Sequence, residues 1–268
     1  MPRDLSSLLS QATDDTLDSM PQLSSQKQEG PPLQTPFLSS NDDDQDQDSD
    51  ATEYMDELGQ SNEKRDPLHP YTQTLSLSDV ESCVRLEDAA FPPAERASRE
   101  KFQYRLKNCG ELSLGIFTSE ENSEATTAST ASPAWSGAPE RKSILLGHIV
   151  STMTTSSTVT DDDMSIPTAD NPDPKLGHKP EGRTVCIHSL AVLPEYQGRS
   201  LGSTLMKAYL HRLKTQSVAD RAALIAHDHL LPYYERFGFK NLGPSKAQFG
   251  GGGWYDMTVE LDALEDDE

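Results

Sequence analysis

Val185-Cys186-Ile187-His188-Ser189-Leu190-Ala191-Val192, running on through Leu193-Pro194-Glu195-Tyr196-Gln197-Gly198-Arg199-Ser200-Leu201-Gly202-Ser203, is the stretch that decides the fold. The first eight residues are apolar on nearly both faces, which predicts a strand buried on two sides and therefore central in a sheet. The glycine-bearing segment 194–202 predicts a turn. A helix of about three turns follows, with Leu201, Leu205, Ala208 and Leu213 on its inner side. Residues 222–226 (Ala-Ala-Leu-Ile-Ala) read as a second buried strand, and 231–237 as a short helix closed by Gly238. Two last strands fit 239–242 and 254–261. They lie too close together for a crossover helix, so the sheet must be mixed. The expected class is α/β (α+β), a single domain with helices flanking a mixed sheet.

Upstream, Ser78-Asp79-Val80-Glu81 has the pattern of a capping box, with Val80, Val84, Ala90 and Phe91 roughly on one face of the helix it would open. Pro92-Pro93 stops that helix. A second helix is expected from Ser98, with Phe102 and Leu106 on its apolar side. Residues 112–117 and 144–153 alternate as strands. Between the strands lie two polar insertions, 118–143 and 155–184, which predict floppy loops or functional lids.

The chain has 268 residues, 23 Lys+Arg against 44 Asp+Glu, and a formal charge of −21. That balance excludes a binder that holds nucleic acid through clustered cations. The charge is uneven. Residues 1–68 carry 16 acidic and 4 basic side chains, and a disordered acidic tail is expected there. Residues 69–117 with 185–258 carry 14 basic and 12 acidic side chains, so the folded part is near neutral. A second acidic tail is expected at 263–268. No run approaches the ~18 apolar residues of a membrane span. Cys83, Cys109 and Cys186 are scattered, which suits a reducing compartment rather than a disulfide scaffold. The expectation is a cytoplasmic monomer without nucleic-acid or membrane partners, with the Ser/Thr-rich acidic tail as a candidate for a regulatory partner.

Two constellations carry chemistry. In 197–203, backbone amides at a helix start can cradle an anionic phosphate, and glycine lets the backbone approach it. The Gly-Lys-Ser/Thr of a nucleotide triphosphatase loop and the three-glycine spacing of a dinucleotide fold are both missing. The other is Leu231-Pro232-Tyr233-Tyr234-Glu235-Arg236-Phe237-Gly238-Phe239. Together they resemble the GNAT superfamily of N-acetyltransferases. Residues 111–117 (Glu-Leu-Ser-Leu-Gly-Ile-Phe), 187–192 and the loop Phe91-Pro92-Pro93-Ala94-Glu95 are similar to its serotonin (arylalkylamine) N-acetyltransferase subgroup. The resemblance spans 69–262 outside the insertions.

It implies acetyl-CoA as co-substrate and a small arylalkylamine or polyamine as acceptor, joined by direct attack in a ternary complex. In such a site Leu190, Ala191 and Val192 offer backbone groups to the pantetheine arm, and the Leu190 amide faces the thioester carbonyl. Gly198, Arg199, Ser200, Leu201, Gly202 and Ser203 receive the pyrophosphate. The family usually has glycine where Ser200 stands; a φ above zero there would cost serine about a kcal/mol. The subgroup places two histidines i, i+2 on the strand. Here the second is His188 and the first is replaced by Cys186, so base or relay duty falls to His188. Tyr234 matches the tyrosine that protonates the departing thiolate, and also contacts the cofactor. Phe91, Leu190 and Ile225 are the expected substrate contacts. Tyr233 and Phe237 are expected only to pack on the sheet. His227-Asp228-His229 lacks a further ligand nearby, so no metal is assigned to it, and Asp228 is expected to cap the turn. A protein or peptide acetyltransferase, or a non-catalytic CoA binder, are the competing readings.

Overall fold

The central strand of the computed structural model is Thr184–Val192 (β5), buried along its length except at His188 and Leu190. The structure describes residues 68–134 and 140–264. The expected tails, 1–68 and 263–268, therefore fall almost wholly outside the described residues. The other strands are Tyr71–Thr74 (β1), Leu114–Glu120 (β2), Ser132–Pro133 (β3), Lys142–Thr154 (β4), Arg221–Ala226 (β6), Lys240–Pro244 (β7) and Tyr255–Glu260 (β8). They form one mixed sheet in the order β1-β2-β4-β5-β6-β8-β7, with β3 added alongside β4. Every pairing is antiparallel except β5 with β6. That parallel pair needs a crossover, which the helix Leu201–Thr215 supplies.

The β5–β6 pair is short. Its register is Thr184↔Arg221, Val185↔Ala222 and Cys186↔Ala223, and there it ends. Residues 187–192 and 224–226 then diverge, leaving a gap in the middle of the sheet. On its other edge β5 pairs with β4 along its length, but the register shifts between Val150 and Ser151. Ser189 lies opposite Val150 and Ile187 opposite Ser151, so His188 is an extra, bulged residue.

Four further helices complete the fold. Val80–Ala90 (α1) and Arg99–Cys109 (α2) precede β2, Asp161–Met164 (α3) lies between β4 and β5, Leu201–Thr215 is α4, and Leu231–Glu235 (α5) follows β6. The N-terminal cap of α1 differs from the sequence reading. Asp79 reaches back to the Ser76 amide at 2.8 Å across a 3₁₀ turn, so the reciprocal cap is Ser76/Asp79 rather than Ser78/Glu81. The buried stripe of α1 is Val80, Cys83, Leu86 and Glu87, one step round from the expected face. The α2 reading holds, with Ser98 accepting from the Lys101 amide and Phe102 and Leu106 buried.

Successive residues of β4 alternate between the two faces of the sheet. His148 meets Glu87 of α1 and the Phe102 ring of α2 on one face. Ser151, on the other, accepts the Tyr209 hydroxyl of α4 at 2.7 Å. Tyr209, fully buried and also bonded to the Leu112 carbonyl, anchors α4 together with Leu201, Leu205, Met206 and Leu213.

Both insertions pack. In the first, the Thr127 hydroxyl donates to the Leu145 carbonyl and Ser82 meets Thr130 at 2.9 Å. In the second, Thr160 and Asp163 cap α3 reciprocally, and Val159 and Met164 are buried against Cys186 and Ala223. Of the two expectations for this segment, a floppy loop or a lid, the packing fits the second: it forms a wall beside the sheet gap.

Candidate active site

The gap between β5 and β6 opens into a cavity lined by Ile187, His188, Ser189 and Leu190 on one side and Leu224, Ile225 and Ala226 on the other. Tyr234 of α5, Phe91 and Glu87 from α1 and its end, and Met164 of α3 close it. Phe91, Leu190, Ile225, His188 and Tyr234, all singled out from the sequence, therefore share one cavity.

The backbone of β5 is set up by the ladder. The Leu193 amide bonds to the Leu146 carbonyl. Antiparallel pairs alternate between bonded and non-bonded, so Val192 opposite Gly147 and Leu190 opposite Ile149 are non-bonded pairs. Their amides and carbonyls point away from β4, toward the gap, where β6 no longer pairs with them. The Val192 carbonyl is taken by the Gln197 side chain at 3.0 Å. The Leu190 amide faces the cavity.

His188 stands on the bulge with both ring nitrogens engaged. Nε2 lies 2.9 Å from the Thr152 hydroxyl, and Nδ1 lies 3.3 Å from Met164 Sδ and 3.8 Å from Cys186 Sγ. Burial, reinforced by the positive charges of Arg105 and Lys101, holds its pKa well below the ordinary histidine value. The ring is therefore neutral near pH 7. In the tautomer whose Nε2–H donates to Thr152, Nδ1 keeps a lone pair, and its neighbours among the described residues are the two sulfur atoms. Burial pushes the Cys186 thiol well up, so Cys186 is no base at neutral pH.

Beside His188 lies a group that the sequence reading missed. Glu87, 1% exposed, accepts from the Ser189 hydroxyl on Oε1 and from the Ala97 amide on Oε2 at 3.0 Å. His148 Nε2 sits 3.2 Å from Glu87 Oε1 and 3.1 Å from Ser189 Oγ. Burial alone would raise the Glu87 pKa, but the bonds from His148, Ser189 and Ala97 outweigh it and hold the group a carboxylate. The available signal was an acid on the apolar stripe of α1, four residues after Cys83.

The Tyr234 ring packs edge-on against Tyr233 and Phe239. Its hydroxyl has no protein partner among the described residues, and burial, then the neighbouring Tyr233, keep its pKa above the ordinary phenol value. Tyr233 does more than pack. Its hydroxyl reaches the start of α4, where a Cβ built on Gly202 would meet it at 3.1 Å. At that start, Ser200 adopts φ +60°, the left-handed region, with Gly198 at φ +75°. The loop 198–203 thus has the strained turn that the serine raised as a question. Residues 198–200 are exposed, and the first amides of α4 lack helical partners.

At the mouth, His227 stacks on Trp254 at 4.0 Å between ring centres, and its Nε2 lies 3.3 Å from Glu95. Asp228 accepts from the adjacent His229 amide, but the N-cap position of this 3₁₀ turn is His227, so Asp228 is not its cap. Trp254 and Phe249 come from a glycine-rich loop held by Asp161, which accepts from the Gln248 and Phe249 amides at 2.9 and 3.0 Å. Sequence reading assigned none of Trp254, Phe249, Glu95 or Met164 to the site.

The family model described as an acetyltransferase (GNAT) domain matches residues 146–261, the span from β4 through β8 that builds this cavity. Over 73 residues the chain is 42% identical to serotonin N-acetyltransferase of Mesocricetus auratus, a match covering 27% of this chain and 35% of that protein. It is 41% identical over 73 residues to serotonin N-acetyltransferase of Macaca mulatta, covering 27% of this chain and 36% of the relative. The chain thus spans about a third of the length of the curated relatives it matches. Among solved structures, the loading GNATL domain of CurA from Lyngbya majuscula superposes with a TM-score of 0.50 at 13% identity, covering 72% of this chain and 98% of that one. That likeness is one of fold. Residues 146–261 thus carry a match to the acetyltransferase (GNAT) domain family.

Proposed function

We propose that the protein is an acetyl-CoA-dependent N-acetyltransferase that acetylates the primary amine of a small arylalkylamine or polyamine, by direct attack within a ternary complex. The observation that carries this reading is the Leu190 amide, turned into the gap and flanked by His188 and Tyr234 in one cavity. That amide can bond to the thioester oxygen as negative charge develops on it, the kind of interaction that often dominates acyl transfer. The residues present suit the co-substrate. Free amides at the start of α4 meet a pyrophosphate along a favourable helix dipole, and backbone groups of Leu190 and Val192 line the approach.

The proton balance assigns the side chains. An alkylamine is a cation at neutral pH and must lose one proton before it attacks. His188, kept neutral by burial, accepts it on Nδ1 directly or through water. The C–N bond then forms and the C–S bond breaks. Tyr234 delivers its proton to the thiolate, and the second amine proton, leaving nitrogen as the amide forms, passes through water to restore the Tyr234 hydroxyl. A small acceptor is favoured by the second insertion, since Met164 forms part of the cavity wall and Asp161 ties down the loop carrying Phe249 and Trp254. An extended peptide would need that wall open.

Thiol release from acetyl-CoA, measured with tryptamine, phenylethylamine, putrescine, spermine and a set of short peptides, tests the reading. Turnover with one or more free amines, at kcat/KM well above that of every peptide, is expected. Preference for a peptide would move the protein to a peptide acetyltransferase. Acetyl-CoA binding without thiol release would make it a non-catalytic binder.

A further inference from the structure

Among the described residues, the cavity wall contains two carboxylates, Glu87 and Glu95, and neither lysine nor arginine. Glu95 stands toward the mouth, engaged with His227. Glu87 is at the buried end, next to His188 and Ser189. Burying a carboxylate in an apolar core is costly unless its partners satisfy it. A carboxylate offers about four acceptor positions, and Ser189, His148 and Ala97 supply three donors. One position on Oε2 is left over. On the far side, the Nδ1 of His148 is buried without a partner among the described residues, so the cluster is not closed on itself. The positive groups near this wall, Arg105 and Lys101, both stand on α2. Arg105 donates to the Met164 carbonyl, and Lys101 lies 4.8 Å over the Phe249 ring.

We propose that Glu87 is the counter-charge that receives the cationic head of the amine at the buried end of the cavity, a specificity-determining residue distinct from the base. This deepens the acetyltransferase reading and rests on it. Glu87 and His188 divide two tasks. A carboxylate held ionised by three donors is a weak base toward an alkylammonium but a permanent negative charge. It draws the protonated form of the amine out of water and sets its nitrogen beside His188, which removes the proton.

Binding, rather than turnover, separates this from a purely structural tie between α1 and the sheet. The full chain with CoA bound is titrated calorimetrically with phenylethylamine and with an analogue fluorinated beside the nitrogen, similar in shape but neutral at the assay pH. The wild-type protein is expected to bind the cation at least about tenfold tighter, the worth of one charge-assisted bond. In Glu87→Gln that preference should shrink to within about twofold, while affinity for the neutral analogue holds. Glu95→Gln, which removes the other carboxylate of the wall, should retain the preference and carries the test if Glu87→Gln does not fold. Equal binding of the two amines by wild type overturns the proposal. So does a preference that survives Glu87→Gln or disappears in Glu95→Gln. If neither amine binds and none is acetylated, the acetyltransferase reading itself fails. Turnover without charge preference removes only the role of Glu87.

Discussion

At Ser200 the backbone sits at φ +60° and ψ +6°, where a Cβ crowds the following carbonyl oxygen. Gly198, three residues after Glu195, takes a positive φ in open space and pays no such cost. Left-handed backbone costs a non-glycine residue about 1–2 kcal/mol, while glycine gives back about 0.5–1 kcal/mol through its unfolded-state freedom. Ser200→Gly should therefore stabilise the protein by about 0.5–1 kcal/mol, a rise of a few degrees in Tm at this size. Thermal unfolding monitored by circular dichroism checks this, and a lower Tm would show that the turn is not strained. This residue was legible in advance because it lies inside a local motif. So were His188 and Tyr234. Glu87, His148 and Ser189 were not. They lie 61 and 102 positions apart along the chain, and only the packing of α1 on β4 and β5 brings them together. No local spacing encodes such a cluster.

Among the elements, β5 was the easiest to read and the second insertion the hardest. A strand buried on both faces announces itself by an unbroken apolar run. Residues 155–183 look polar because most of them face solvent, and the two that matter, Val159 and Met164, are isolated in the sequence. β1, four residues with only Tyr71 partly buried, gave too short an alternation to stand out. The functional consequence lies in α3. Asp161 is exposed, yet its carboxylate holds two amides of the loop that brings Phe249 and Trp254 to the cavity. Removing it leaves those amides to water and frees a loop whose four consecutive glycines, Gly250 to Gly253, all have positive φ. For an exposed group this is worth about 1 kcal/mol. Asp161→Ala should raise the KM for the amine about fivefold with kcat changed less than twofold. An unchanged KM in steady-state assays would show that the loop needs no latch.

For the whole molecule, the charge of −21 invites a picture of an acidic site awaiting a cation, and its distribution argues against that picture. Tails and insertions carry the acid, and the folded core is near neutral. Charge at the site is a matter of two carboxylates on one cavity wall, a scale that composition does not reach. Parting the sheet between its parallel strands creates that cavity. It exposes the Leu190 amide, leaves His188 on its bulge facing inward, and lets α5 set a tyrosine hydroxyl opposite. The central claim is that acetyl transfer occurs there, with Tyr234 as the acid. Steady-state kinetics of Tyr234→Phe, alongside the affinity for acetyl-CoA, tests it most directly. Loss of a positioned acid should lower kcat by at least about a hundredfold while the acetyl-CoA Kd stays within about twofold. A kcat equal to that of the wild type would contradict the account.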